Sequence, residues 1–160
     1  MHSNEALIRR FYAAFQKLDY KTMNDCYSEG AIFNDPVFGI LQNGEPMYMW
    51  EMLCRNAKDF NLTYSDIELL DEEYATCNWI ASYTFSKTGR KVVNHVKAHM
   101  RIEDGKITEH SDKFDLWKWS RQALGLPGLL LGWSNFIHSK VRNSAAKSLS
   151  EFISKNAPQQ

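Results

Sequence analysis

The sequence predicts an α+β fold, with helices first and an antiparallel meander after them. Apolar residues recur at helical spacing through residue 57, and from Asn61 to Phe114 the period drops to two. The breaks in the second region carry turn chemistry: "EDGK" at 103–106 signals a tight hairpin, and "SKTGRK" at 86–91 a slightly longer one. Helices segregated to one face of a curved sheet are the layer arrangement this order implies.

The first helix is expected to be capped by Ser3, with a stripe of Leu7, Ile8, Phe11, Ala14, Phe15 and Leu18. Met23, Cys26 and Tyr27 fit a second short helix that stops near Gly30. "AIFNDPVFG" reads as a short strand, because Pro36 pushes Asp35 toward extended geometry. Pro46 suits the first turn of a third helix carrying Met47, Trp50, Leu53, Cys54 and Ala57.

Strands are predicted over 61–70, 73–86, 91–102 and 106–114. In the second, Trp79, Ala81, Tyr83 and Phe85 form the inner face. In the third, Val92, Val96, Ala98, Met100 and Ile102 point inward, opposed by His95, Lys97, His99 and Arg101. Asp115 caps a helix "LWKWSRQAL" that Gly125 and Pro127 end. "LPGLLLGW" is either a connector sealing the open end of the sheet or a mobile lid or partner site. Trp133, Phe136, Ile137, Val141, Ala145, Leu149 and Phe152 make a last amphipathic stripe, and "NAPQQ" is expected to be a disordered tail.

With 44% apolar and 13% aromatic residues, 160 residues suffice for one domain with a real core. Nineteen Lys and Arg balance nineteen Asp and Glu, so no global field steers the chain to nucleic acid. No apolar run approaches the roughly 20 residues of a membrane span, and no membrane partner is expected. The N-terminal "MHSNEALIRRFYAAF" lacks a signal-peptide layout, and Cys26, Cys54 and Cys77 are odd in number and make no CxxC. Buried free thiols in a reducing cytoplasm are expected. His95 and His99 lie roughly 13 Å apart along a strand, too far to share one ion, so no metal is expected.

His110 and Asp112 share a strand face with Phe114 and lie roughly 7 Å apart in backbone terms. A carboxylate there can orient an imidazole. Periodicity leaves their face open, because Ile107, Glu109, Ser111 and Lys113 are no more apolar. Asp35 follows Phe33 by two. It is either a base beside an aromatic wall, with a raised pKa, or an Asp that caps its own turn.

The order helix, helix, "CYSEGAIFNDPVFG", helix, then a meander ending "MRIEDGKITEHSDKFDLW" resembles the SnoaL-like polyketide cyclase and ketosteroid isomerase group of the nuclear transport factor 2-like superfamily. The resemblance covers roughly residues 4 to 119. It implies a cone-shaped domain over 1–119, an extra helical extension over 120–160, and a homodimer. The ending "FDLWKWSRQALGLPG" marks a subgroup without assigning a reaction.

Carried over by position, Asp35 matches the isomerase general base, a tuned carboxylate. Phe11 stands where that family has its oxyanion-hole tyrosine, with Tyr12 adjacent, and Ala98 stands at its protonated acid. Steroid isomerisation by that mechanism is therefore not expected. The resemblance also turns His110, Asp112 and Phe114 into the pocket.

The expected function is a cofactor-independent isomerase, cyclase or hydratase/dehydratase acting on a small apolar molecule. Asp35 would be its base, His110 its acid or oxyanion partner, and Asp112 the group orienting His110. Phe11, Tyr12, Phe33, Trp50, Trp79, Tyr83, Phe85, Ala98, Met100 and Phe114 would form the walls. The alternative is a non-catalytic ligand-binding or dimerisation module, with His110 and Asp112 as a buried structural pair.

Overall fold

The computed structural model describes residues 2–158. Helices α1 (Ser3–Gln16) and α2 (Tyr20–Asp25) lead into strand β1 (Tyr27–Asp35) and the short β2 (Gly39–Leu41). Helix α3 (Glu45–Asn56) precedes β3 (Asn61–Leu69), β4 (Tyr74–Phe85), β5 (Arg90–Glu103) and β6 (Lys106–Lys113). Helices α4 (Leu116–Leu124), α5 (Leu126–Leu131) and α6 (Asn135–Asn156) follow.

One six-stranded sheet results, in the order β2-β1-β6-β5-β4-β3. Every neighbouring pair is antiparallel except β1 and β6, which run parallel. Register shifts at Ser65/Glu68 in β3 and at Arg101/Ile102 in β5 bend the sheet around its inner face. The hairpin at 103–106 closes with Asp104 at φ 50° and Gly105 at φ 73°, the positive pair that matches strand twist.

The core lies between the inner face and α1 and α3. Ile8, Phe11 and Tyr12 of α1 are fully buried, as is Met49 of α3. Phe11 meets Trp50, Tyr27 and His110 edge-on, each with ring centres 5.6 Å away. Truncating such a residue to alanine costs about 3–5 kcal/mol, because the surrounding rings cannot collapse into the void. Leu149 of α6 joins this core, while Val92, Leu116, Trp119 and Ala123 form a second cluster under α4. Cys26, Cys54 and Cys77 are free and buried.

Several local expectations shift. The α1 cap is His2, whose Nδ1 accepts the Asn4 N–H at 3.3 Å, and Ser3 is already helical. The second helix stops at Asp25, because Tyr27 begins the strand and pairs with Ile107 of β6. The three-residue β2 was not foreseen. Helix α3 buries Met49 and Met52 where Met47 and Leu53 were expected, and Leu53 is 37% exposed. "LPGLLL" is itself helical, with Pro127 in its first turn. Trp133 and Phe136 leave the last stripe and are exposed, while Ile137 and Leu149 stay buried. The tail is helical through Asn156, and Gln159 and Gln160 lie outside the described residues.

Candidate functional site

The parallel pairing of β1 with β6 builds the site. Phe33 lies opposite His110 and Asn34 opposite Ser111. Two residues past Phe33 and His110, on the same faces, come Asp35 and Asp112. The two carboxylates are close enough for the charge of Asp112 to be felt at Asp35. Both line a cavity of about 470 Å³, enclosed by Phe33, Trp50, Trp79, Tyr83, Phe85 and Phe114 with residues of α3, α4 and α6.

Behind Asp112 runs a directed chain of hydrogen bonds. The Trp50 indole, which can only donate, gives its Nε1–H to the Tyr27 oxygen at 2.9 Å. The Tyr27 hydroxyl proton is then free for Nδ1 of His110, 2.6 Å away. That makes Nδ1 the acceptor and puts the ring proton on Nε2, which faces Asp112 Oδ1 at 2.9 Å. The Trp79 indole donates to the same carboxylate oxygen at 3.3 Å. Each side chain in the chain is thus hydrogen-bonded, although Tyr27, His110 and Asp112 are all buried. Burial drives the Tyr27 hydroxyl pKa well above its ordinary value, so it remains a proton donor.

Asp35 is partly buried, and it both caps its own turn and lines the aromatic cavity. Its Oδ1 accepts the Val37 N–H at 2.9 Å and the Phe38 N–H at 2.5 Å, capping the turn that follows. The same residue faces the cavity. Burial, aided by the charge of Asp112, raises its pKa to about 6 against the lowering pull of those two N–H groups. Neither carboxylate is paired with a lysine or arginine among the described residues.

Elsewhere on the cavity wall, Trp119 Nε1–H donates to the Tyr83 oxygen at 2.8 Å. The Tyr83 O–H is thereby left to donate elsewhere. Burial raises its pKa, and Asp35 adds to the rise, so the hydroxyl stays protonated.

Of the expected site residues, the structure brings Asp35, Asp112, Phe33, Trp50, Trp79, Tyr83, Phe85 and Phe114 to the cavity. Phe11, Tyr12, Ala98, Met100 and His110 are not on its wall. Ala98 and Met100 face inward on β5 but are packed into the hydrophobic core. Tyr12 stacks on Tyr64 at 5.5 Å, and its hydroxyl is buried with no partner among the described residues. The expected order of His110 and Asp112 is reversed: the carboxylate reaches the cavity and the imidazole backs it. Tyr27 and Trp119 went unforeseen. Alternation of Tyr27 with Ala31, Phe33 and Asp35 was the available signal, and helical spacing with Met23 and Cys26 masked it.

Among the described residues no group of three or more His, Cys, Asp or Glu is gathered to hold a metal, and no helix is long and apolar enough to cross a membrane.

Residues 8–110 match the SnoaL-like domain family. No curated protein matches the chain. A Catenulispora acidiphila protein of ketosteroid isomerase-like fold, solved with trimethylamine, superposes with a TM-score of 0.65 at 14% identity over 80% of this chain and 96% of its own. A candidate polyketide cyclase from Xanthomonas campestris gives 0.63 at 15% identity, covering 75% and 96% respectively. IdmH of Streptomyces antibioticus, another candidate polyketide cyclase, gives 0.62 at 20% identity over 81% of this chain and all of its own. At these identities the likeness is one of fold.

Proposed function

The chain belongs to the SnoaL-like domain family, and from that premise we propose that its cavity binds a small apolar carbonyl compound and moves a proton on it. Asp35 is the general base, with a pKa of about 6 that leaves it ionised yet still basic near neutral pH. Tyr83 is the donor to the carbonyl oxygen as negative charge develops there. Asp35 then returns the proton to another carbon, which is an isomerisation, or the enolate carbon attacks a second carbonyl of the same molecule and the resulting alkoxide takes the proton back from Asp35, which is a cyclisation. Asp112 keeps the proton affinity of Asp35 high through its charge, and His110 with Tyr27 positions Asp112.

One observation carries this reading: a partly buried carboxylate with an elevated pKa lines an aromatic cavity, beside a second carboxylate and without a cationic partner. Burying a carboxylate without a cationic partner costs stability near neutral pH, so the arrangement points to function. The test offers small enolisable ketones in deuterated buffer and follows loss of the α-proton by NMR. Exchange that vanishes in Asp35→Asn supports the proposal. Exchange at the wild-type rate in both Asp35→Asn and Tyr83→Phe would sink it.

A binding module without chemistry is the second reading. The engagement of Asp35 Oδ1 by Val37 and Phe38 favours it, because a base does better with both oxygens free. An apolar ligand that saturates the cavity and is recovered unchanged after long incubation would decide for it.

A further inference from the structure

Between Leu116 and Ser150 the chain has no carboxylate and five cations, Lys118, Arg121, Lys140, Arg142 and Lys147, although its overall charge is zero. The same stretch leaves Leu126, Leu129, Leu130, Trp133 and Phe136 exposed by 67, 50, 61, 67 and 62%. So many large apolar side chains gathered on α5, the turn after it and the start of α6 mark a contact surface. Their orientation is held by close packing. A Cβ on Gly128 would lie 1.9 Å from the Ser120 carbonyl oxygen, so α5 sits against α4 closer than any side chain permits.

Beside the leucines runs a groove lined by Arg90, Lys91, Arg121 and Gln122, with Leu126 and Leu129 at its other edge. Arg121 Nε is buried and donates to no described partner, while its guanidinium stacks 4.8 Å over Trp117. A row of cations thus borders a row of apolar side chains, the pattern of an element lying in the headgroup layer of a bilayer.

We propose that this face docks onto an anionic phospholipid surface. Leu126, Leu129, Leu130 and Trp133 enter the acyl boundary, and Arg90, Lys91 and Arg121 meet the lipid phosphates. A second copy of the chain is a poor occupant, because the groove lining offers three cations and no carboxylate to meet them. No membrane partner was expected from the sequence because no segment spans a bilayer. A helix of six residues, about 9 Å long, lies in the interface without spanning it. The docking is independent of any reaction in the cavity.

The test mixes the full chain with vesicles of equimolar phosphatidylglycerol and phosphatidylcholine, or of phosphatidylcholine alone, and reads the bound fraction by sedimentation. Binding to the anionic vesicles alone, weakened by added salt, is expected. Arg121→Gln should weaken it about fivefold and Leu130→Ser about tenfold, each with an unchanged circular dichroism spectrum and thermal transition. No binding to the anionic vesicles, or equal binding to both kinds, overturns the proposal. Self-association that Leu130→Ser abolishes, without vesicle binding, also overturns it and makes the face a contact between copies.

Discussion

His110 Nε2 lies 2.9 Å from Asp112 Oδ1, and both side chains are sealed from bulk solvent. The pair is held from three directions: Tyr27 of β1 on the imidazole, Trp50 of α3 on Tyr27, and Trp79 of β4 on the carboxylate. The carboxylate on the cavity wall therefore depends in part on His110 and Tyr27, neither of which lines the cavity. On the proposed function, His110 and Tyr27 are positioning residues.

Removing a member of the chain should expose that dependence. His110→Ala leaves Asp112 buried with one donor fewer, and a loss of about 3–5 kcal/mol is expected in urea denaturation. Tyr27→Phe strands the Trp50 N–H and one His110 nitrogen, for about 1–3 kcal/mol. The double variant should lose clearly less than the sum, since each change breaks the same chain. Strict additivity would show that the residues act separately.

Asp35 sets a pH dependence of known sign. Its folded pKa, about 6, is above its ordinary 3.8, so the folded state keeps a proton that the unfolded chain releases. The favourable contribution is complete below about pH 4 and is lost as pH rises through about 6. Asp35→Asn keeps an oxygen for the Val37 and Phe38 N–H groups but removes the charge. Relative to wild type, it should gain up to about 3 kcal/mol between about pH 4 and pH 7.5, read from urea midpoints. An unchanged difference across that range would mean that Asp35 does not titrate there.

Once a substrate is in hand, kcat/KM should rise with pH through about 6, following ionisation of Asp35. Asp35→Asn should cost about 10²–10⁴ in kcat, and Tyr83→Phe about 10²–10³. The Tyr83 loss should appear in kcat more than in KM, because its donor is used as charge develops. A Tyr83→Phe variant weakened only in KM would make that hydroxyl a binding group.

Asp115 caps α4 through the Trp117 and Lys118 N–H groups, and α4 carries the Trp119 that turns Tyr83 toward the cavity. Asp115→Ala should lower stability by about 1 kcal/mol, a fall of about 2–4 °C in Tm. Asp115→Asn should recover most of it.

Much of this architecture is legible in residue order. The alternation from Asn61 onward places β3 to β6 within a residue or two at each end, and the inner faces of β4 and β5 follow from their apolar sets. Asp115 as a cap, Pro46 in a first turn and "EDGK" as a hairpin are local chemistry, which needs no distant partner. Tyr27 resisted because its spacing from Met23 suits a helix. Only the pairing of β1 with β6, some 80 residues later, makes it a strand residue.

The sequence by itself determined the periods, and hence the elements and the sheet faces that are apolar on one side. It could not determine the face of β6, where Glu109, Ser111 and Lys113 are as polar as His110 and Asp112. On a strand polar on both sides, the register of the neighbouring strand decides which side chains are buried. Parallel pairing to β1 set that register, brought Asp112 beside Asp35 at the cavity, and left His110 behind it. The cost of burying those groups is met only by Trp50, Tyr27 and Trp79, which tertiary packing brings together from three elements.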